Sequence, residues 1–239
     1  MFDEPTIVLT GASAGIGFAL LEALNEEAFV VAVSRTRPTL PNFKGYWLQG
    51  DLWMPEPVAT DILAFLGAQK RPLDGLVHCA VSYGASQRHA FLETTDSEWD
   101  EVMTVNVRSQ FVLTVRLLPL MLERPKAFVV SLSSDVATQP APLRIAYGCS
   151  KAASHALFTG LSEELAESSV SVIQMLPAKQ VVTRGLRRRR PPDFPFSGYS
   201  NPEIFKQPLK SILARRGAGL NGAHFVIREE GLEELTPSA

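Results

Sequence analysis

The chain is predicted to fold as an α/β protein, with one doubly wound parallel sheet of about seven strands and helices on both faces. Three observations predict it. Short β-branched runs alternate with longer amphipathic stretches, the pattern of βαβ units. A glycine-rich turn, Thr10-Gly11-Ala12-Ser13-Ala14-Gly15-Ile16-Gly17, joins the first strand run to the first helix run. The length of 239 residues suits one full core, so a single domain over residues 1–239 is expected.

Strands are expected at residues 7–9, 29–33, 45–48, 76–79, 127–132, 170–176 and 224–227, each a short run of apolar and largely β-branched residues. Helices are expected at 16–25, 58–66, 97–122 and 146–167, with a short broken piece at 202–215. Thr95 and Glu98 form a capping-box pattern at the start of the third helix, and Pro125 lies just past its end. The run 102–121 is apolar on more than one face. That suits burial against the sheet, with the remaining face in the same core or against a second subunit.

Residues 177–208 differ from the rest. They carry Pro191, Pro192, Pro195, Pro202 and Pro208, the arginine run 187–190, and Phe194, Phe196, Tyr199 and Phe205. Proline at that density opposes regular helix or strand, and a long irregular segment in a compact domain is commonly a lid or binding loop. Residues 177–215 are therefore expected to form a substrate loop or lid.

Composition narrows the function classes. Apolar residues make up 46% and charged residues 20%, ordinary globular usage. A net charge of −2 and a pI near 6.1 give no basic footprint for nucleic acid. Cys79 and Cys149 are the only cysteines, too few for a disulfide framework and without zinc spacing, so no metal is expected. No apolar run spans a bilayer and no secretory leader pattern opens the sequence, so a soluble, cytoplasmic protein is expected.

The glycine turn lies between a strand and a helix, the context in which such a pattern binds a dinucleotide. Gly11 allows the tight turn, Gly15 lets backbone approach a pyrophosphate, and Gly17 allows close packing, while the helix N-terminus offers N–H groups to the anion. The competing reading is a turn with no ligand. After the second strand the chain reads Val33-Ser34-Arg35-Thr36-Arg37, without the acid that usually meets a ribose hydroxyl. Arg35 can instead pair with a 2′-phosphate, which points to NADP(H).

Tyr147 and Lys151 stand four apart on an expected helix, hence on one face. A neighbouring ammonium lowers a phenol's pKa, and the pair can then act as acid or base. Ser134, just beyond the fifth strand, can hydrogen-bond a substrate oxygen, and Asn106 can orient a water or Lys151.

With these residues in this order and spacing, and Asp51 after the third strand, the sequence resembles the short-chain dehydrogenase/reductase family in its shorter form, over nearly the whole chain. The resemblance implies a Rossmann-type fold and a catalytic tetrad of Asn106, Ser134, Tyr147 and Lys151. In similar enzymes the tyrosine transfers the proton, the serine holds the substrate oxygen, the lysine lowers the tyrosine pKa and binds the nicotinamide ribose, and the asparagine supports a water relay. The cofactor site so implied comprises Gly11, Ser13, Ala14, Gly15, Ile16 and Gly17, then Ser34 and Arg35, Asp51 and Leu52, Cys79 and Ala80, Tyr147, Lys151 and Pro177. Departures fall on the cofactor loops. His78-Cys79-Ala80-Val81 stands where the family commonly has Asn-Asn-Ala-Gly, and Pro177-Ala178 replaces Pro-Gly, with Thr183 the remaining substitute for a displaced threonine. Leu220-Asn221-Gly222 keeps only part of the family's terminal pattern.

The expected activity is hydride transfer between NADP(H) and a carbonyl or alcohol carbon, as in a ketone or oxoacyl reductase. The expected partners are a small substrate, which the arginine run 187–190 would suit if anionic or carrier-bound, and further copies in a homodimer or homotetramer. Neither nucleic acid nor a membrane is expected. The alternatives are a non-catalytic NADP-binding sensor or scaffold, and an isomerase or dehydratase using the same tyrosine. His78 is expected to be a structural, hydrogen-bonded residue, and Cys149 to serve packing.

Overall fold

A computed structural model describes residues 4–84, 88–188 and 190–235. Its sheet has eight strands in the order β3-β2-β1-β4-β5-β6-β7-β8. In chain order these are β1 (Thr6–Thr10), β2 (Phe29–Ser34), β3 (Tyr46–Gln49), β4 (Gly75–His78), β5 (Ala127–Leu132), β6 (Val170–Pro177), β7 (His224–Arg228) and β8 (Gly231–Glu234). The first seven run parallel, and β8 pairs antiparallel with β7. The strand missed by sequence, β8, reads Gly-Leu-Glu-Glu and is exposed throughout. It lacks the apolar signal of a buried strand, and its acids suit an edge.

The helices are α1 (Gly15–Leu24), α2 (Pro55–Ala68), α3 (Asp96–Met103), α4 (Ser109–Leu122), α5 (Ile145–Glu164), α6 (Arg184–Arg188) and α7 (Lys206–Arg215). Along β1 the side chains alternate: Ile7 and Leu9 join Leu20, Leu24, Phe205 and Leu209 on one face, while Val8 joins Val58, Ile62, Leu113, Leu117 and Phe158 on the other. The sheet is therefore buried on both faces, which is why its central strands read as apolar runs.

The expected helix 97–122 is interrupted by one π turn, Thr104–Arg108, between α3 and α4. Thr95 caps α3 by accepting from Glu98 N at 3.2 Å. The reciprocal half of the box is diverted, because Glu98 Oε2 lies 3.3 Å from His89 Nε2. Phe111, Val115 and Leu122 remain exposed on α4, so the second apolar face of this run is not consumed by the core. Within the proline-rich segment a five-residue helix, α6, forms just ahead of the prolines, and Val182 N donates to Ser200 O at 2.8 Å to tie the segment's two ends together. Phe205, Leu209 and Ile212 then seat α7 in the core beside α1. Among the described residues, no helix is long and apolar enough to cross a membrane.

β1 to β3 wind outward in one direction and β4 onward in the other, so the order reverses between β1 and β4. In a doubly wound sheet a crevice opens at the carboxyl end of that junction.

Candidate active site

The loops that leave β1 to β6 line one cavity of about 480 Å³ at the carboxyl ends of the strands. Its floor is the glycine turn. Thr10 Oγ1 accepts from Cys79 N at 3.1 Å and Ala80 N at 3.3 Å, which binds the end of β1 to the end of β4. Gly11 has φ +74°, and a Cβ there would meet Ala80 N at 2.7 Å. At Gly17 a Cβ would lie 2.1 Å from Gly11 O, so the turn folds back on itself only because that carbon is missing. Gly15 has φ +59°, and a Cβ there would meet Thr183 Cγ2 at 3.0 Å.

The N-terminus of α1 opens beside this turn. Ala14 offers no side-chain cap and the first turn holds no acid. Its backbone N–H groups are thus the natural partners of an anion. Ser13, Ala14 and Ile16 also border the cavity, as do Ser34, Arg35, Asp51 and Leu52 at its far end. The Ser34 hydroxyl is already engaged, accepting from Trp47 Nε1 at 3.2 Å and donating to Thr36 O at 2.8 Å. Arg35 is exposed, and no acid borders it in this loop. Asp51 Oδ1 accepts from Trp53 N at 3.0 Å, which fixes the turn that carries it.

Tyr147 and Lys151 lie buried on α5, and both border the cavity. Burial holds the Tyr147 phenol well above its ordinary range; the neighbouring Tyr83 adds to the rise, while a hydrogen bond with Ser134 and the charge of Arg144 oppose it. The Tyr83 and Tyr147 rings lie with centroids 4.7 Å apart, tilted by 32°. Ser134 also donates to Asp135 Oδ1 at 2.8 Å. Lys151 Nζ donates to Leu132 O at 2.7 Å and stands 5.9 Å from the centre of the Tyr147 ring. Burial lowers its pKa to about 8. The expected lowering of the phenol by Lys151 is therefore absent. Desolvation outweighs the ammonium, whose bond runs to backbone and not to the phenol.

Asn106 sits on the π turn, fully buried, and does not meet Lys151. Its Oδ1 accepts from Ser82 N at 2.7 Å, while its Nδ2 donates to Ser82 O at 2.8 Å and Ser150 Oγ at 3.0 Å. It clamps the loop after β4 to α5. Ser82 Oγ in turn donates to Glu101 Oε1 at 2.7 Å.

Cys79 and Ala80 border the cavity as expected, and burial pushes the Cys79 thiol up to about 12, which leaves it unreactive. Pro177 lines it at the end of β6. His78 is buried and held neutral, its pKa lowered to about 3, with Nε2 2.9 Å from Thr114 Oγ1. Thr183 Oγ1 accepts from Leu186 N at 3.1 Å and so starts α6. Asn221 holds β6 to α5, accepting from Val172 N at 2.9 Å and donating to Ser162 O at 2.9 Å. Cys149, expected to serve packing, is instead exposed, because it occupies the outward face of α5. Of the arginine run, Arg187 and Arg188 point to solvent, Arg190 borders the cavity, and Arg189 lies outside the described residues. Of residues 177–215, those that border the cavity fall between Pro177 and Arg190.

Tyr83, Glu101 and Arg144 also line the cavity and were not foreseen. Arg144 had a sequence signal, since it precedes Tyr147 by one helical turn. Tyr83 and Glu101 had none, as chain folding alone brings them in.

The sequence profile of the short chain dehydrogenase family matches residues 5–191. A short chain dehydrogenase of Pseudocercospora fijiensis is 32% identical over 184 residues, a match spanning 72% of this chain and 58% of that protein. A solved short chain dehydrogenase from Salmonella enterica serovar Typhi has 27% identity and a TM-score of 0.77, covering 93% of this chain and 95% of the other. A gluconate 5-dehydrogenase candidate from Beutenbergia cavernae, solved with NADP at low occupancy, has 26% identity and a TM-score of 0.78, covering 92% of this chain and 93% of the other.

Proposed function

Because the chain belongs to the short-chain dehydrogenase family, we propose that it is an NADP(H)-dependent reductase of a ketone or oxoacyl group, with Tyr147 as the proton donor. One observation carries the reading: a buried phenol shares a cavity with Ser134, the glycine turn and the uncapped start of α1. Burial keeps the phenol protonated at neutral pH, which suits donation to a carbonyl oxygen rather than removal of an alcohol proton.

The residues present fit a dinucleotide. The glycine turn has no Cβ at its closest approaches, α1 offers free N–H groups, and Arg35 stands where a 2′-phosphate needs a cation and a carboxylate would repel it. NADP in the Beutenbergia relative supports the same choice. Bound there, the reduced nicotinamide supplies the hydride. The chain's own work is to orient and protonate. Ser134 and Tyr147 hold the substrate oxygen, and the Tyr147 O–H gives it a proton as negative charge develops. Lys151, with a pKa of about 8, is charged at neutral pH, so a cofactor ribose hydroxyl can take one of its donors while Leu132 O keeps another. Asn106 is a positioning residue that fixes the loop after β4 against α5.

Loss of NADPH absorbance over a panel of ketones, oxoacyl thioesters and alcohols tests this. Tyr147→Phe should lower kcat by roughly 10²–10⁴-fold with NADPH affinity preserved. Activity retained in that variant would remove the assigned mechanism. NADPH binding by wild type without turnover of any carbonyl would favour a cofactor-binding sensor.

A further inference from the structure

We propose that the substrate is a carboxylate-bearing carbonyl compound, an oxo acid, whose carboxylate is held by Arg144 with Arg190 contributing from the proline-rich segment. The proposal rests on the reading of the site as a carbonyl reductase and names its substrate class.

Both arginines border the cavity. Both have a buried Nε with no hydrogen-bond partner. Neither forms an ion pair with an acid among the described residues, whereas Arg71, Arg108, Arg124, Arg216 and Arg228 all do. The acids at the Tyr147 end of the cavity pair with neither arginine and instead bond hydroxyls: Glu101 Oε1 accepts from Ser82 and Asp135 Oδ1 from Ser134. Arg88 and Lys179 line the same cavity and add to its positive charge. A buried donor left unsatisfied is costly, and a guanidinium fork matches a carboxylate in bidentate fashion. The Arg190 guanidinium lies 4.9 Å from the centre of the Phe194 ring, a stack that holds it in place.

Placement selects the kind of anion. Arg144 is the residue before α5 and lies one helical turn ahead of Tyr147; its carbonyl accepts from Gly148 N at 2.8 Å. Its side chain lines the cavity with Tyr147 and its charge is felt by that phenol, so an anion held there sits close to the carbon that Tyr147 serves. A short oxo acid carries its charge that near its carbonyl. A carrier-bound acyl thioester carries its phosphate at the far end of a long arm. Reduction then yields the hydroxy acid, with hydride from the reduced cofactor, the proton from Tyr147, and the carboxylate unchanged.

The test is calorimetric titration of 2-, 3- and 4-oxo carboxylic acids and their methyl esters into protein saturated with NADP⁺, where no reduction intervenes. At least one acid should bind at least about tenfold more tightly than its ester. Arg144→Met should weaken that acid about 10- to 100-fold, leave the ester and NADP⁺ unchanged, and Arg144→Lys should restore part of the loss. If Arg144→Met does not fold, Arg144→Gln carries the same comparison. Esters or oxoacyl thioesters that bind as well as every acid, or an Arg144 variant with undiminished acid affinity, would overturn the proposal. Turnover with NADPH separates it from the reading beneath it. Acids that bind through Arg144 but are never reduced would sink the reductase and leave the anion site standing.

Discussion

At the amino ends of the strands, Asp74 is 1% exposed and accepts from Thr6 N at 2.9 Å, Arg124 Nε at 3.0 Å and Arg216 Nη1 at 2.7 Å. At the carboxyl ends, Lys151 is 4% exposed and donates to one backbone carbonyl but to no acid, and Arg144 and Arg190 each bury an unpartnered Nε. The same sheet thus buries charge at both ends under opposite rules. Where the counter-ions are built in, the charge locks β1, β4 and the segments after α4 and α7 together. Where they are missing, the unpaired cations face a cavity, and the missing anions are what a nucleotide and an acidic substrate would bring. The lesson is that a buried charge is best read through its partner: paired charge belongs to the frame, unpaired charge to the site.

The sharpest way to break that contrast is Asp74→Ala. It strips a hydrogen-bond acceptor from Thr6 N and the counter-ion from two guanidinium groups at once. The loss should be about 3 kcal/mol in a denaturant titration, the lower end for breaking a buried pair because both arginines retain some contact with water. NADPH affinity of the folded fraction should be unchanged. A variant with wild-type stability but damaged cofactor binding would put Asp74 in the site and collapse the comparison.

The same contrast explains what could be read from the sequence. The frame was legible, because β1, β4 and β5 are apolar runs buried on both faces and Gly11, Gly15 and Gly17 fall at spacings that only a tight strand-to-helix turn requires. The placement of Tyr147 and Lys151 on one face of α5 was equally legible, being set by helical period. Their electrostatics were not. The phenol rises because chain folding seals it beside Tyr83, a residue 64 positions away in sequence whose approach no local pattern announces. Asn106 was found, but its partners Ser82 and Ser150 come from a loop and a helix that the π turn bridges from distant parts of the sequence. Arg189, inside the run singled out for anion attraction, lies outside the described residues, and Arg187 turns to stack on Phe196 at 4.8 Å instead of entering the cavity.

A smaller effect, opposite in sign, is expected at Lys151. Its folded pKa of about 8 lies below the ordinary 10.5, so the fold disfavours the ammonium. The penalty is present in full below pH 8, shrinks as pH climbs from 8 to 10.5, and is gone above that. The gap corresponds to at most about 3 kcal/mol, from which the lost bond to Leu132 O removes about 1 kcal/mol. Lys151→Met should therefore be more stable than wild type at pH 7 by about 2 kcal/mol, with the advantage gone near pH 10 and reversed to a loss of about 1 kcal/mol above pH 10.5, while reductase activity collapses. Thermal melts at pH 7 and pH 10 check this. A destabilised variant at pH 7 would mean that the cation belongs to the frame after all.

The smallest effect belongs to Arg35, an unpaired cation at the rim of the cavity rather than in its depth. Its exposure means that water and salt screen any bond it makes to a phosphate, so removing it should cost only about 1–2 kcal/mol at low ionic strength. Arg35→Ala should raise the NADPH dissociation constant roughly 5- to 30-fold and leave that for NADH unchanged, as read by quenching of protein fluorescence. Raising the salt should erode the wild-type preference for NADPH toward the variant's value, because the interaction lost is electrostatic and surface-exposed. A wild type that prefers NADH, with the same preference in Arg35→Ala, would show that this cation meets no phosphate and that charge at the rim follows neither rule.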